Sequence, residues 1–173
     1  MSLNHSTDAD IAALAVQAGR VLLTAGLKVV TAESCTGGGI AAALTDVPGS
    51  SQWFERGYVT YSNAAKIRDL GVEPGALERH GAVSAEIVGQ MAAGALRASG
   101  ADVAVAVSGI AGPDGGTADK PVGLVFLAVL RRGGAVQLRH EQFPGDRGAV
   151  RRAAVAAALR LIVQAATSRA ISG

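Results

Sequence analysis

Segments of helical and strand periodicity alternate through the first part of the chain, and this alternation most narrows the folds open to it. From Asp8 to Ala25, the residues Ile11, Leu14, Ala15, Ala18, Val21 and Leu22 recur at three- and four-residue steps. They follow polar capping candidates and precede Gly26, which predicts an amphipathic helix. Leu27 to Ala32 reads as a short buried strand running into Glu33-Ser34-Cys35-Thr36-Gly37-Gly38-Gly39, and Ile40 to Leu44 resumes as helix. Arg56 to Ser62 alternates aromatic and β-branched residues, a strand signal, and leads into a helix expected to be capped by Asn63 and stopped by Gly71. Ser84 is placed to cap the next helix, whose apolar stripe runs from Ile87 through Met91 to Leu96 and ends at Gly100. Asp102 to Ser108 then predicts a buried strand, and a glycine-rich loop follows from Gly109 to Gly116. Two further strands, Val122 to Leu130 and Ala135 to Gln142, meet across Gly133-Gly134 as a hairpin, and Asp146 is placed to cap a last helix.

A hairpin appearing only late makes the expected sheet mixed and mostly parallel, with helices on both faces: an α/β fold, specifically a three-layer α/β/α sandwich. The 173 residues suit one domain spanning 1–173, with residues 1–7 expected to be disordered. Hydrophobic residues at 49% and charged residues at 17% are the balance of a compact chain. The densest apolar run, Gly123 to Leu130, falls well short of the roughly 18 residues of a membrane span, and the first residues lack the basic start and apolar stretch of a secretory signal. With Cys35 as the sole cysteine, a cytoplasmic enzyme is expected. His5, His80 and His140 are too scattered for a zinc site, so no metal and no cofactor are expected. A net charge of +2 and 3% aromatic residues argue against a nucleic-acid partner. Arg147, Arg151, Arg152 and Arg160 instead suggest a solvated helix face with one or two members reaching an anionic ligand. A homo-oligomer is the expected state, and a small molecule the expected ligand.

In open α/β sheets, sites gather where strand C-termini meet the following loops, and three polar or glycine-rich junctions here sit at such ends: after Ala32, after Ser62 and after Ser108. Ser34 lies on a strand-to-helix turn with glycines close behind it, the setting of an acyl-transfer nucleophile and its oxyanion hole; Ser34 or Thr36 would serve equally as a plain helix cap. No histidine lies near these junctions in sequence, which leaves Lys66 as the best-placed base. The start of a helix and partial burial would both disfavour its charged form, although a solvent-facing lysine is the commoner fate on a short helix. Tyr61 is favoured over Tyr58 as a proton donor or relay, since Tyr58 should face the other side of its strand. The Gly109–Gly116 loop lacks the Gly-Lys-Ser/Thr ending of a Walker loop but could offer free N–H groups to a phosphate or oxyanion, or simply be a tight turn. Arg147 could add a charged contact.

Together the runs Thr31-Ala-Glu-Ser-Cys-Thr-Gly-Gly38, Gly57-Tyr-Val-Thr-Tyr-Ser-Asn-Ala-Ala-Lys66, His80-Gly-Ala-Val-Ser84 and Ser108-Gly-Ile-Ala-Gly-Pro-Asp-Gly-Gly116 resemble the CinA C-terminal domain family, over nearly the whole chain. The resemblance implies a stand-alone amidase that converts nicotinamide mononucleotide to nicotinate mononucleotide and ammonia in pyridine-nucleotide salvage, without the fused pyrophosphatase-type domain of longer relatives. It places the nucleophile on Ser34, with Lys66 and Tyr61 as its catalytic partners. Substrate contacts are expected from Glu33, Thr36, Gly37, Gly38, Asn63, Gly109, Ile110, Ala111, Gly112, Gly115 and Arg147, and an oxyanion hole from N–H groups near Thr36 to Gly38. The competing reading is a non-catalytic nucleotide- or phosphate-binding module built from the same residues. A DNA-interacting competence role, suggested by the family's name, would require steeply salt-dependent binding, which the small net charge disfavours.

Overall fold

Thr7 caps the first helix: its side chain accepts the Asp10 N–H while the Asp10 carboxylate accepts the Thr7 N–H, a reciprocal cap on helix α1 (Asp8–Ala25). The computed structural model describes residues 6–168. Of the segment expected to be disordered, residues 1–5 lie outside the described residues, whereas Thr7 has a defined capping role. Strand β1 (Val29–Glu33) follows, then α2 (Gly39–Thr45), a 3-10 turn at Ser50–Gln52 and β2 (Phe54–Val59). Helices α3 (Asn63–Leu70), α4 (Pro74–His80) and α5 (Ala85–Ser99) precede β3 (Val103–Gly109), β4 (Leu124–Arg131), β5 (Gln137–Gln142) and α6 (Arg147–Thr167).

The five strands lie in the order β2-β1-β3-β4-β5. β1 pairs in parallel with both β2 and β3, and the late hairpin adds β4 and then β5 by antiparallel pairings. The sheet is therefore mixed, as expected; all strands but β4 run the same way, although only the β2-β1-β3 half is parallel by pairing. In that half Glu33 is level with both Val59 and Val107, so the three strands end together and present three junctions along one rim.

Strand β3 explains the layering. Its valines Val103, Val105 and Val107 point into the core under α1, α2 and α6, and its alanines Ala104 and Ala106 point into the core under α5. Burial on both faces replaces alternation with an unbroken apolar run, as in other doubly covered strands. Small residues on the α5 side let that helix sit close, and closeness is taken further at Gly94, where a Cβ would lie 1.9 Å from the Leu70 carbonyl oxygen. The C-terminus of α3 is thus pressed against α5.

Three expectations need correcting. Strand β2 starts earlier and ends at Val59, leaving Tyr61 in the connector. The cap of α3 is Ser62, whose hydroxyl accepts the Ala65 N–H at 3.0 Å, and Asn63 is the first helical residue. Helix α4 adds an element that the sequence periodicity does not show, because Pro74 opens it and its short length offers too few periodic positions. No helix among the described residues is long and apolar enough to cross a membrane.

Candidate active site

The first junction is organised around a buried carboxylate. Glu33 ends β1 fully enclosed, and its Oε2 accepts the Thr36 hydroxyl at 2.6 Å and the N–H groups of Gly38 at 3.1 Å and Ile40 at 3.0 Å. Its Oε1 accepts the Ala41 N–H at 2.8 Å. A negative charge at the start of α2 satisfies donors that a helix otherwise leaves open and complements their partial positive charge. The chain can wrap so tightly around it because Gly37 and Gly38 adopt φ of 60° and 94°. From α6, Arg151 donates to the carbonyls of Cys35 at 3.2 Å and Thr36 at 3.1 Å. The Ser34 N–H donates to Val107 O at 3.0 Å and the Gly37 N–H to Ser34 O at 3.0 Å, which pins the serine from both sides.

Lys66 reaches that serine from the second junction. It is 1% exposed, and its Nζ lies 3.0 Å from Ser34 Oγ, 2.7 Å from Thr60 O and 3.3 Å from Tyr61 O. No carboxylate forms an ion pair with it among the described residues. Burial pushes its pKa below the ordinary lysine value, against a smaller opposing influence from Cys35. Nζ can donate to all three oxygens as an ammonium; once it is neutral, two N–H bonds to the carbonyls leave its lone pair facing the Ser34 hydroxyl.

The third junction closes the cleft. Ile110 N–H donates to Leu124 O, and Gly123 N–H donates back to Ile110 O, so the loop base continues the β3-β4 ladder. Gly109 is required there, since a Cβ would lie 2.7 Å from Val125 Cγ2. Beyond it, Ala111, Gly112, Asp114 and Gly115 donate their N–H groups to no acceptor among the described residues, with Gly112 and Gly115 at φ of 82° and 89°. Arg147, at the start of α6, donates to Gly112 O at 2.9 Å and to the Tyr61 hydroxyl at 3.0 Å, bridging the second and third junctions. An open cleft of about 280 Å³ lies between them, lined by Ser34, Lys66, Tyr61, Arg147 and the loop residues Gly109 to Gly112, Asp114 and Gly115.

The profile of the CinA C-terminal domain matches residues 11–166, covering every element that builds this cleft. The chain belongs to the CinA C-terminal domain family. It is 53% identical over 158 residues to the Escherichia coli (strain K12) protein named nicotinamide-nucleotide amidohydrolase PncC, covering 91% of this chain and 96% of that one. A Pseudomonas putida protein of the same name is 57% identical over 157 residues, covering 91% of this chain and 98% of its own length. Among solved structures, the competence/damage inducible protein CihA from Agrobacterium tumefaciens superposes with a TM-score of 0.90 at 48% identity, over 95% of this chain and 99% of that one.

Within this CinA-family cleft the sequence-derived candidates separate into two groups. Ser34, Lys66, Tyr61, Gly109, Ile110, Ala111, Gly112, Gly115 and Arg147 line it. Glu33, Thr36, Gly37, Gly38 and Asn63 do not: the first four form the wrapped turn beneath the serine, and Asn63 starts a helix. The expected oxyanion donors at Gly37 and Gly38 are also already committed, to Ser34 O and to the Glu33 carboxylate. On this turn the N–H groups of Cys35 and Thr36 are those that donate to no other described residue. The CinA-family cleft further includes Cys35, Ala82, Val83, Ser108 and Asp114, none of them expected. Ser108 could have been suspected as a buried hydroxyl ending an apolar strand, and it donates to Ala82 O at 2.8 Å; Ala82 and Val83 carry no chemical signature. Cys35 is no rival nucleophile, since burial pushes its thiol up to about 11. No cluster of three or more potential metal ligands occurs among the described residues.

Proposed function

We propose that this protein is a nicotinamide-nucleotide amidase that hydrolyses the carboxamide of nicotinamide mononucleotide to nicotinate mononucleotide and ammonia, in cytoplasmic pyridine-nucleotide salvage. The observation that carries the reading is the 3.0 Å contact between Ser34 Oγ and the buried, acid-free amine of Lys66. The names of the Escherichia coli and Pseudomonas putida relatives support the substrate.

Lys66 takes the Ser34 proton as Oγ attacks the amide carbon, and the resulting oxyanion is held by the N–H groups of Cys35 and Thr36 rather than by those of Gly37 and Gly38. The protonated amine then gives that proton to the leaving nitrogen, the C–N bond breaks, and ammonia departs. Water attacks the acyl-enzyme with Lys66 again as base, releasing the carboxylate and restoring the serine. Arg147 and the free N–H groups from Ala111 to Gly115 hold the phosphate, while Tyr61, its hydroxyl fixed by Arg147, contacts the substrate at the cleft wall.

Ammonia release from nicotinamide mononucleotide by the purified protein tests the reading. The Ser34→Ala variant should lose about 10³-fold or more in kcat while still binding the nucleotide. Saturable binding by the wild-type protein with no ammonia released would instead favour a binding module, and near-wild-type deamidation by Ser34→Ala would remove the serine from the chemistry.

A further inference from the structure

Strand β5 is bare in a way no other strand is. Every residue from 132 to 142 is exposed, so the strand is thinly covered on its faces, with Leu138 lying against α5 at Gly89, and it ends the sheet with an open outer edge. Leu138 and Val136, 43% and 41% exposed, are two of the large apolar side chains left at the surface, alongside Val16, Leu23, Val59 and Tyr61. An uncovered edge strand is a template for another strand, and proteins usually blunt such edges.

The hydrogen-bond parity of β5 can be read from its neighbours. Phe143 N–H donates to Gly123 O, and Ile110 N–H donates to Leu124 O. In an antiparallel ladder a residue's N–H and C=O point to the same side and alternate along the strand. Gln137, Arg139 and Glu141 therefore face β4, and Leu138, His140 and Gln142 turn both groups outward, unpaired.

We propose that two copies of this chain pair through β5, antiparallel about a two-fold axis at His140, joining their sheets into one. The charges select this register among those overlapping most of the strand. An axis at Arg139 sets like charges face to face, and so does an axis at Glu141. An axis at His140 sets Arg139 opposite the partner's Glu141, twice by symmetry. The same axis brings outward-facing His140 opposite the partner's His140 as a hydrogen-bonded pair, and Leu138 opposite the partner's Gln142. The Arg-Glu pairs then occupy the non-hydrogen-bonded positions, where cross-strand side chains lie closest. The charges that could have blunted this edge are thus arranged to complement a second copy of it.

Sedimentation velocity and light scattering on the purified protein test this. The wild type should run at twice the 17.3 kDa chain mass. Arg139→Glu and Glu141→Arg should each weaken the dimer about tenfold or more, since each replaces two attractive pairs by two repulsive ones. The double variant Arg139→Glu/Glu141→Arg should recover the dimer, and an equimolar mixture of the two single variants should form a mixed one. His140→Pro should yield a monomer with the β4-β5 ladder intact, because the N–H it deletes points away from β4. The proposal is overturned if the wild type is monomeric at about 100 µM, a concentration that populates even weak dimers, or if its assembly is indifferent to both charge reversals and to the proline. A double variant that fails to recover association, although the mixture of single variants shows both chains folded, overturns this register.

Discussion

The junctions after β1 and β3 read alike in sequence, each a strand running into a glycine-rich stretch, yet they use their backbone in opposite ways. After β1, the N–H groups from Gly37 to Ala41 are consumed internally, by Ser34 O, Thr36 O and the Glu33 carboxylate. After β3, those of Ala111, Gly112, Asp114 and Gly115 donate to no other described residue and lie beside the cleft. The difference lies in one buried carboxylate. A glycine-rich turn with its own anion inside becomes a rigid mount for a side chain, and one without an internal anion remains available to bind an external one.

If the first junction mounts the chemistry and the third receives the phosphate, variants should split between kcat and KM. Lys66→Met should have the largest effect, a loss of about 10³-fold in kcat with nucleotide binding retained, measured by ammonia release alongside calorimetric titration. Glu33→Ala comes next. Deprived of their acceptor, the Thr36 hydroxyl and the N–H groups of Gly38, Ile40 and Ala41 should cost about 4 kcal/mol or more in urea unfolding, at roughly 1 kcal/mol or more per stranded donor, and kcat should fall about 10²-fold. A Glu33→Ala protein with wild-type kcat would show that the internal anion does not matter to the serine. Arg147→Met should raise KM for the mononucleotide by about tenfold to a hundredfold, leave kcat within a few-fold, and change little for nicotinamide riboside, which lacks the phosphate. Equal losses on both substrates would take the phosphate away from the third junction.

The smallest effect is a pH dependence. The lowered pKa of Lys66 places the acid limb of kcat/KM below the ordinary lysine value of 10.5, with a one-proton slope and activity rising with pH, because the neutral amine is the reactive form. For stability, the unfolded chain binds more protons than the folded one between the folded and unfolded pKa values. Stability should therefore rise with pH across that window, and Lys66→Met should abolish this part of the rise.

The sequence was informative where local chemistry and topology agreed. The strand-helix alternation set the layers, and the strand-end rule brought Ser34, Lys66 and the Gly109–Gly116 loop to one rim, because β1, β2 and β3 share direction and end level. What could not be read were facts about surroundings. Glu33, beside a nucleophile candidate, looks like a substrate contact; only the flanking of β1 by both β2 and β3 shuts it away from the cleft and turns it inward. Ser62 and Asn63 are both good caps, and the one-residue difference between them was settled by where β2 ends. Ala82 and Val83 reach the cleft through the packing of the α4-α5 connection, which leaves no trace in periodicity.

Gly94 sits on the far side of α3 from the cleft, touching nothing that reacts. Yet any side chain there would collide with the Leu70 carbonyl oxygen and act as a wedge, lifting off the helix that carries the amine. The spacing between the Lys66 amine and the Ser34 hydroxyl is thus gauged from behind by the thinnest residue available, and a single added methyl group would shift it without altering either group.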